Sequence, residues 1–275
     1  MKYKIVVDSS CDLTKDYIKD ENVGFDIAPL RINVLKKEFV DDENIDVKAM
    51  LKAMASTKEK SSSACPSPET FKQCFEGADN VICITMTSKL SGTFNSAYLA
   101  ASECSNNVHV IDSESTAGGM ILLVDKAYEL MKQNKEFKEI VDELNEYQKT
   151  INLLFVLDKF DNLVKNGRMS KIAAVVATCL YIKPLCIEQG GEIKIYEKPR
   201  TRRKALERLV TNIGILSEKK SNRKICISHC YCEEDAETVK RMILKEYPDS
   251  EVRITEMRGL TSFYALENGL LVGIE

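Results

Sequence analysis

The sequence predicts an α/β protein of two domains: an N-terminal, largely parallel sheet flanked by helices and a C-terminal mixed α/β domain. Three observations carry that expectation. Short apolar runs alternate with helical periodicities through the first half, and the pattern changes character near residue 150. A chain of 275 residues, 44% apolar and 29% charged, is also long enough to build two hydrophobic cores. The expected division is 1–150 and 151–275, with a cleft between.

Tyr3–Val7 is an apolar run ending in Asp8-Ser9-Ser10-Cys11-Asp12, a polar turn able to cap a following helix. Phe25–Val34 reads as a second extended run. Val47, Met50, Leu51 and Met54 repeat at i, i+3, i+4 and i+7 behind Asp46, the signature of a capped amphipathic helix. A polar loop runs from Ser56 to Ser67. Ser67-Pro68 then opens a helix, proline standing where a missing N–H costs nothing. Val81–Thr85 and Val108–Asp112 are strands, followed by helices through Phe94, Ala97, Tyr98 and Ala101 and from about Thr116 to Gln133.

In the second half, Ile151–Leu157 is a strand, Gly167 closes a short helical piece, and Ile172–Leu180 is an apolar helix. Gln189-Gly190-Gly191 is a hairpin signal between the runs Tyr181–Ile187 and Glu192–Glu197. Leu206, Leu209, Val210 and Ile213 stripe the next helix. Lys224–His229, a helix from Glu233, Val252–Glu256 and Leu270–Ile274 complete the second unit.

Composition excludes several classes. A formal charge of −3 does not suit a generic nucleic-acid binder, which needs a basic surface for phosphates. No stretch approaches a membrane span, and the first apolar run is too short for a signal peptide, so a cytoplasmic protein without integral membrane association is expected. Ten cysteines then read as thiols, with Cys83, Cys179, Cys186 and Cys226 as small core residues. His229-Cys230-Tyr231-Cys232 supplies at most three soft ligands and reads as a strand end, so no metal is expected.

Candidate chemistry gathers in hydroxyl-rich loops before helices: Ser61-Ser62-Ser63, Thr87 to Thr93, and Ser113 to Gly119. Beyond the carboxyl ends of parallel strands, such loops face ligands, and helix N-termini there suit a carboxylate or phosphate. Hydroxyls before helices also serve simply as caps. Gly92, in Ser91-Gly92-Thr93, permits close backbone approach. Ser91 lacks the Gly-x-Ser-x-Gly frame of a hydrolase nucleophile, and only His109 and His229 could act as a histidine base. Phosphate-binding glycine motifs are absent. Asp8 and Asp112 end strands, as a phosphotransferase nucleophile or a turn-capping carboxylate would. Arg200-Thr201-Arg202-Arg203-Lys204 places cations against a helix dipole, either as a solvated face or facing an anion.

Read together, the motifs resemble the DegV family. Val6 to Leu13 resembles its N-terminal signature, Ser63-Ala64-Cys65-Pro66-Ser67-Pro68 its Thr-Ser-x-Pro-Ser-Pro loop, and Leu90-Ser91-Gly92-Thr93 with Ser96-Ala97 its Leu-Ser-Gly-Thr segment. Asp112 to Gly119, Leu163-x-x-x-Gly167-Arg168-x-Ser170, Lys183-Pro184-Leu185 and Arg200-Thr201-Arg202 extend the likeness along the chain.

The resemblance implies two α/β domains enclosing a tunnel for one long-chain fatty acid such as palmitate, stearate or oleate, with no catalysis and no cofactor. It places the carboxylate on Ser63 and Ser91, with Gly92 and Thr93 nearby, and puts Arg168 at the mouth, toward a fatty acid kinase. Many members carry a histidine in a His-x-Gly-Pro-Gly loop, and Tyr264 stands roughly there instead. A phenol donates a hydrogen bond but is not cationic near neutral pH, which brings Arg202 in as a further candidate ligand. The alternative from the residues is a phosphotransferase or hydrolase acting on a small anion through Asp8.

Overall fold

Residues 1–133, 135–170, 182–217 and 221–275 are described by a computed structural model. Strands β1 (Tyr3–Asp8), β2 (Val23–Ala28), β6 (Asn80–Thr85) and β7 (Asn107–Asp112) form an all-parallel sheet in the order β2-β1-β6-β7. The run Ile5, Val6 and Val7 in β1 is fully buried and apolar on both faces, because the sheet is covered on both. A small antiparallel sheet, order β4-β3-β5, joins β3 (Arg31–Val34), β4 (Lys37–Val40) and β5 (Ser62–Ala64).

The second half builds a mixed sheet from β8 (Asn152–Val156), β9 (Leu185–Gln189), β10 (Glu192–Glu197), β11 (Lys224–His229), β12 (Glu251–Glu256) and β13 (Leu270–Ile274). Its order is β10-β9-β8-β13-β11-β12, with only β11 and β12 parallel among neighbours. The β9–β10 hairpin turns at Gly190 and Gly191, with φ of 61° and 80°, as the sequence predicts. The α/β architecture of a parallel sheet and a mixed sheet is therefore the one expected.

The helices are α1 (Val47–Ala55), α2 (Pro68–Phe75), α3 (Thr93–Ser102), α4 (Gly118–Met131), α5 (Phe137–Gln148), α6 (Asp161–Lys165), α7 (Arg202–Leu216), α8 (Glu233–Glu246) and α9 (Gly259–Ala265). Asp46 and Ser67 cap α1 and α2 through their side chains, accepting from Ala49 N at 2.9 Å and Thr70 N at 3.2 Å. Helix α4 lies between the sheets, touching β1 and β6 as well as β11 and β13. It is apolar nearly all round, from Met120 to Val124, because no face of that stretch meets water. The largest apolar cluster correspondingly draws on both halves, from Tyr3 to Leu271.

Several elements depart from the sequence expectation. The run Phe25–Val34 is two strands in different sheets, broken at Pro29, where Leu30 N donates to Ser9 Oγ at 3.0 Å. The polar turn after β1 is a single 3₁₀ turn, Ser9–Cys11, which Asp12 ends at φ 58°. Strand β5 lies inside the expected Ser56–Ser67 loop. Helices α5 and α9 have no counterpart in the sequence expectation, and the expected helix Ile172–Leu180 lies outside the described residues.

Glycines allow α4 to reach the second sheet. A Cβ on Gly118 would stand 2.4 Å from the Cys226 carbonyl oxygen, and one on Gly273 2.4 Å from the Gly118 carbonyl carbon. Backbone cannot yield cheaply, so Gly273→Ala is expected to destabilise by about 1–3 kcal/mol, seen as a lower urea midpoint at unchanged slope.

Candidate functional site

Asp8 closes β1 with its carboxylate turned inward. Oδ1 accepts from Ser10 N at 2.9 Å and Ser10 Oγ at 2.6 Å, and Oδ2 from Met86 N at 2.7 Å. The side chain is fully buried, and burial pushes its carboxyl up to about 6. Oδ1 caps the turn and Oδ2 ties it to the chain just after β6, so both oxygens of Asp8 are engaged in holding loops. Asp112 likewise accepts from Ser88 N and Glu114 N, each at 3.1 Å to Oδ1.

Two other buried carboxylates hold the start of α9. Asp41 accepts from Gly259 N at 2.8 Å and Leu260 N at 2.9 Å. Asp12 accepts from Arg258 N at 2.8 Å and from the Thr261 hydroxyl. These are the free N–H groups of a helix N-terminus, where a carboxylate also meets the positive end of the dipole. Gly259 is required there, since a Cβ would lie 2.5 Å from Asp41 Oδ1.

Thus anchored, α9 presents Tyr264. Its hydroxyl lies 2.9 Å from Ser63 Oγ on β5, and its ring packs edge-on against Phe263 at 4.7 Å. One bond between two hydroxyls uses one proton and leaves the other to donate to a ligand oxygen. Helix α6 clamps both partners: Asn162 Nδ2 donates to the Phe263 carbonyl at 2.6 Å and Asn166 Nδ2 to the Ser61 carbonyl at 3.2 Å. Asn162 and Asn166 share a helix face at i, i+4. No sequence feature singles them out; an asparagine pair beside the Gly167-Arg168 turn is the available signal.

Arg168 follows Gly167, whose φ is 73°. Its Nε donates to the Leu90 carbonyl at 3.0 Å and Nη1 to the Asn166 carbonyl at 2.5 Å, with the guanidinium 6.0 Å from the Tyr264 ring centre. Ser91 and Thr93, one and three residues beyond Leu90, bond each other at 2.8 Å between hydroxyls. Cys65 Sγ lies 3.6 Å from where a Cβ on Gly92 would stand, an ordinary contact that does not itself require glycine, and Ser96 Oγ donates to the Pro66 carbonyl at 2.6 Å. The structure thereby brings the loops of Ser63 and Ser91 side by side.

Arg202 stands elsewhere. Its Nε pairs with Asp235 at 2.5 Å, its Nη2 donates to the Asn268 carbonyl at 2.7 Å, and Asp158 lies 3.5 Å from Nη1. Of the expected site residues only Tyr264 and Arg168 line the cavity; Ser63, Ser91, Gly92, Thr93 and Arg202 do not, and two carboxylates already pair with Arg202. Arg203 and Lys204 pair with Glu207 at 3.1 Å each, and Thr201 caps α7. Arg202, Arg203 and Lys204 of the basic run are therefore each paired within the chain. Among the described residues, no three His, Cys, Asp or Glu side chains converge as metal ligands, and no helix is long and apolar enough to cross a membrane.

Behind Tyr264 and Arg168 opens a narrow apolar cavity of about 80 Å³. Leu153, Phe155 and Leu157 line it at alternate positions of β8 and its end, with Leu90, Leu163 and Leu271. That alternation is the inward face of one sheet.

Two sheets closed around an apolar cavity with a hydroxyl-and-guanidinium end define a ligand-binding α/β protein. The chain belongs to the DegV family, whose model, described as an uncharacterised protein family, matches residues 2–271. A DegV domain-containing protein of Streptococcus pyogenes serotype M1 is 38% identical over the full length of both chains. The solved Streptococcus pneumoniae Fatty Acid Kinase (Fak) B3 protein loaded with linoleic acid is 36% identical, with a TM-score of 0.95, over 100% of this chain and 99% of that one. A DegV family protein from Eubacterium eligens loaded with heptadecanoic acid is 29% identical, with a TM-score of 0.91, over 99% of each chain.

Burial raises Asp12 to about 8 and Asp8 to about 6, and raises Asp41 as well. The folded state then holds more protons than the unfolded chain from about pH 4 to 8, so this contribution is present at the acid end and lost as pH rises through the folded values. Chemical denaturation should show stability falling across that range. Asp12→Asn should flatten the decline by up to about 1.4 kcal/mol per pH unit. An unchanged slope would show that Asp12 does not hold the proton.

Proposed function

We propose that this protein binds one long-chain fatty acid, its chain in the cavity and its carboxylate at Ser63, Tyr264 and Arg168, and presents that carboxylate to a fatty acid kinase. The observation that carries the reading is the apolar cavity lined by Tyr264 and Arg168, with the Ser63 hydroxyl 2.9 Å from that of Tyr264. Each buried methylene contributes about 0.8 kcal/mol, so the chain supplies most of the affinity. The polar end need only satisfy the charge, since an unpaired buried carboxylate is very costly. Solved relatives loaded with linoleic and heptadecanoic acid support the same ligand class. The pneumococcal relative, being a Fatty Acid Kinase B3 protein, supports a kinase as partner.

Ser91, Gly92 and Thr93 belong to the mouth in this reading, and Arg168 faces the kinase with the edge of its guanidinium. Residues 1–150 form the unit carrying the hydroxyl loops, and 151–275 the unit whose sheet covers the chain. A carrier without catalysis accords with Asp8, whose oxygens are engaged, and with the cytoplasm as its place of work. Magnesium-dependent turnover lost in Asp8→Asn would instead establish the phosphotransferase reading.

Native mass spectrometry of the purified protein, followed by lipid extraction, should find one fatty acid per chain. Hydrogen bonds to a charged group are worth about 1.5–3 kcal/mol, so Ser63→Ala and Tyr264→Phe should each weaken retention by roughly tenfold or more. Protein that is empty and ignores added oleate and palmitate would refute the carrier reading.

A further inference from the structure

One end of the cavity wall is not apolar. Glu188, on β9, lines it among leucines, and pairs in register with Leu153 of β8. Leu157, beyond the other end of β8, lines the cavity with Leu163, Arg168 and Tyr264 and leads into α6, whose Asn162 binds the carbonyl beside Tyr264. Leu153 and Leu157 are four residues apart, and at ~3.3 Å per residue this sets Glu188 roughly 13 Å along the strand from the carboxylate end. Its Oε1 accepts the Gly191 N–H, and burial, with Glu114 and Asp112 nearby, pushes its carboxyl up to about 7.

Ser115 comes to the same end from the first sheet. A Cβ on Gly119 would lie 2.0 Å from Ser115 Oγ and 3.3 Å from Ile151 Cγ2, so Ser115 stands beside the start of β8. It is 1% exposed and lines the cavity, yet its Oγ has no hydrogen-bond partner among the described residues. Its neighbours differ: Thr87 Oγ1 donates to the Gly191 carbonyl at 3.1 Å, and Thr116 Oγ1 to the Ser10 carbonyl at 3.2 Å. A buried hydroxyl and a half-buried carboxyl beside an alkyl chain gain nothing from it, and Glu188 keeps Oε2 beyond the oxygen that takes the Gly191 N–H.

We propose that this end recognises a hydroxyl carried on the acyl chain far from its carboxylate, so that hydroxylated long-chain fatty acids are ligands of this protein. The ligand hydroxyl donates to Glu188 and accepts from Ser115. This rests on the carrier reading and refines its substrate class.

The test is competition on delipidated protein, with stearate against 12-hydroxystearate and palmitate against 16-hydroxypalmitate at equal concentration, occupancy being read by native mass spectrometry. Wild-type protein should retain at least one hydroxy acid as well as its unsubstituted counterpart. Glu188→Leu should shift that ratio about tenfold toward the plain chain, Ser115→Ala about threefold, and Glu188→Gln little, because an amide still accepts. Wild-type protein that takes only plain acids, or a ratio unmoved in Glu188→Leu and Ser115→Ala, overturns the proposal while leaving the carrier reading intact. Failure to retain any of the four acids overturns both.

Discussion

The N-terminus of α9 is held by carboxylates that arrive from elsewhere in the chain. Asp41, just after β4, takes the N–H groups of Gly259 and Leu260, and Asp12, just after β1, takes that of Arg258. A seven-residue helix is too short to persist alone. Its position is therefore set by these bonds, and with it the position of Tyr264 against Ser63. Asp8, Asp12 and Asp41 each have their carboxyl raised by burial, and the charge of Asp41 adds to the rise at Asp8 and Asp12. Backbone donors offset part of that cost, while Asp12 Oδ2 has no hydrogen-bond partner among the described residues, in keeping with a carboxyl that holds its proton.

From that constraint the mouth follows. Helix α6 binds the carbonyls beside Ser63 and Tyr264 through Asn166 and Asn162, and Arg168 binds the carbonyl beside Ser91. Three loops distant in sequence thus share one short polar rim, and the wall behind it is mainly apolar, interrupted by Glu188 and Ser115. Rigidity of the rim matters because few polar groups must satisfy a charge at the edge of an apolar space. The remaining basic cluster contributes to none of this: Arg202, Arg203, Lys204 and Arg208 are each paired within the second half. Arg202 shows why a cation near a helix start need not await a ligand, for Asp158 and Asp235 meet it across the fold.

The strand–helix alternation, the capped helices behind Asp46 and Ser67, and the Gly190–Gly191 hairpin were legible because each is a local matter of periodicity, capping or positive φ. The pairing of β13 between β8 and β11, the break at Pro29 and the three-residue β5 were not. Strand order depends on which edges meet, and a three-residue strand has no period to read. In the site, Ser63 and Ser91 stood out as hydroxyls in glycine- and proline-marked loops. Asn162, Asn166, Asp41 and Glu188 did not, since each acts on a group that only folding brings near.

What the sequence by itself determined is therefore the α/β class, the elements with clear local codes, and through its ordered motifs the family. Tertiary structure alone decided that Tyr264 meets Ser63, that Arg202 is already neutralised, and that Glu188 and Ser115 face one cavity. The physical reason is range: propensity and capping act within a few residues, whereas charge compensation and cavity lining depend on groups brought together only by folding.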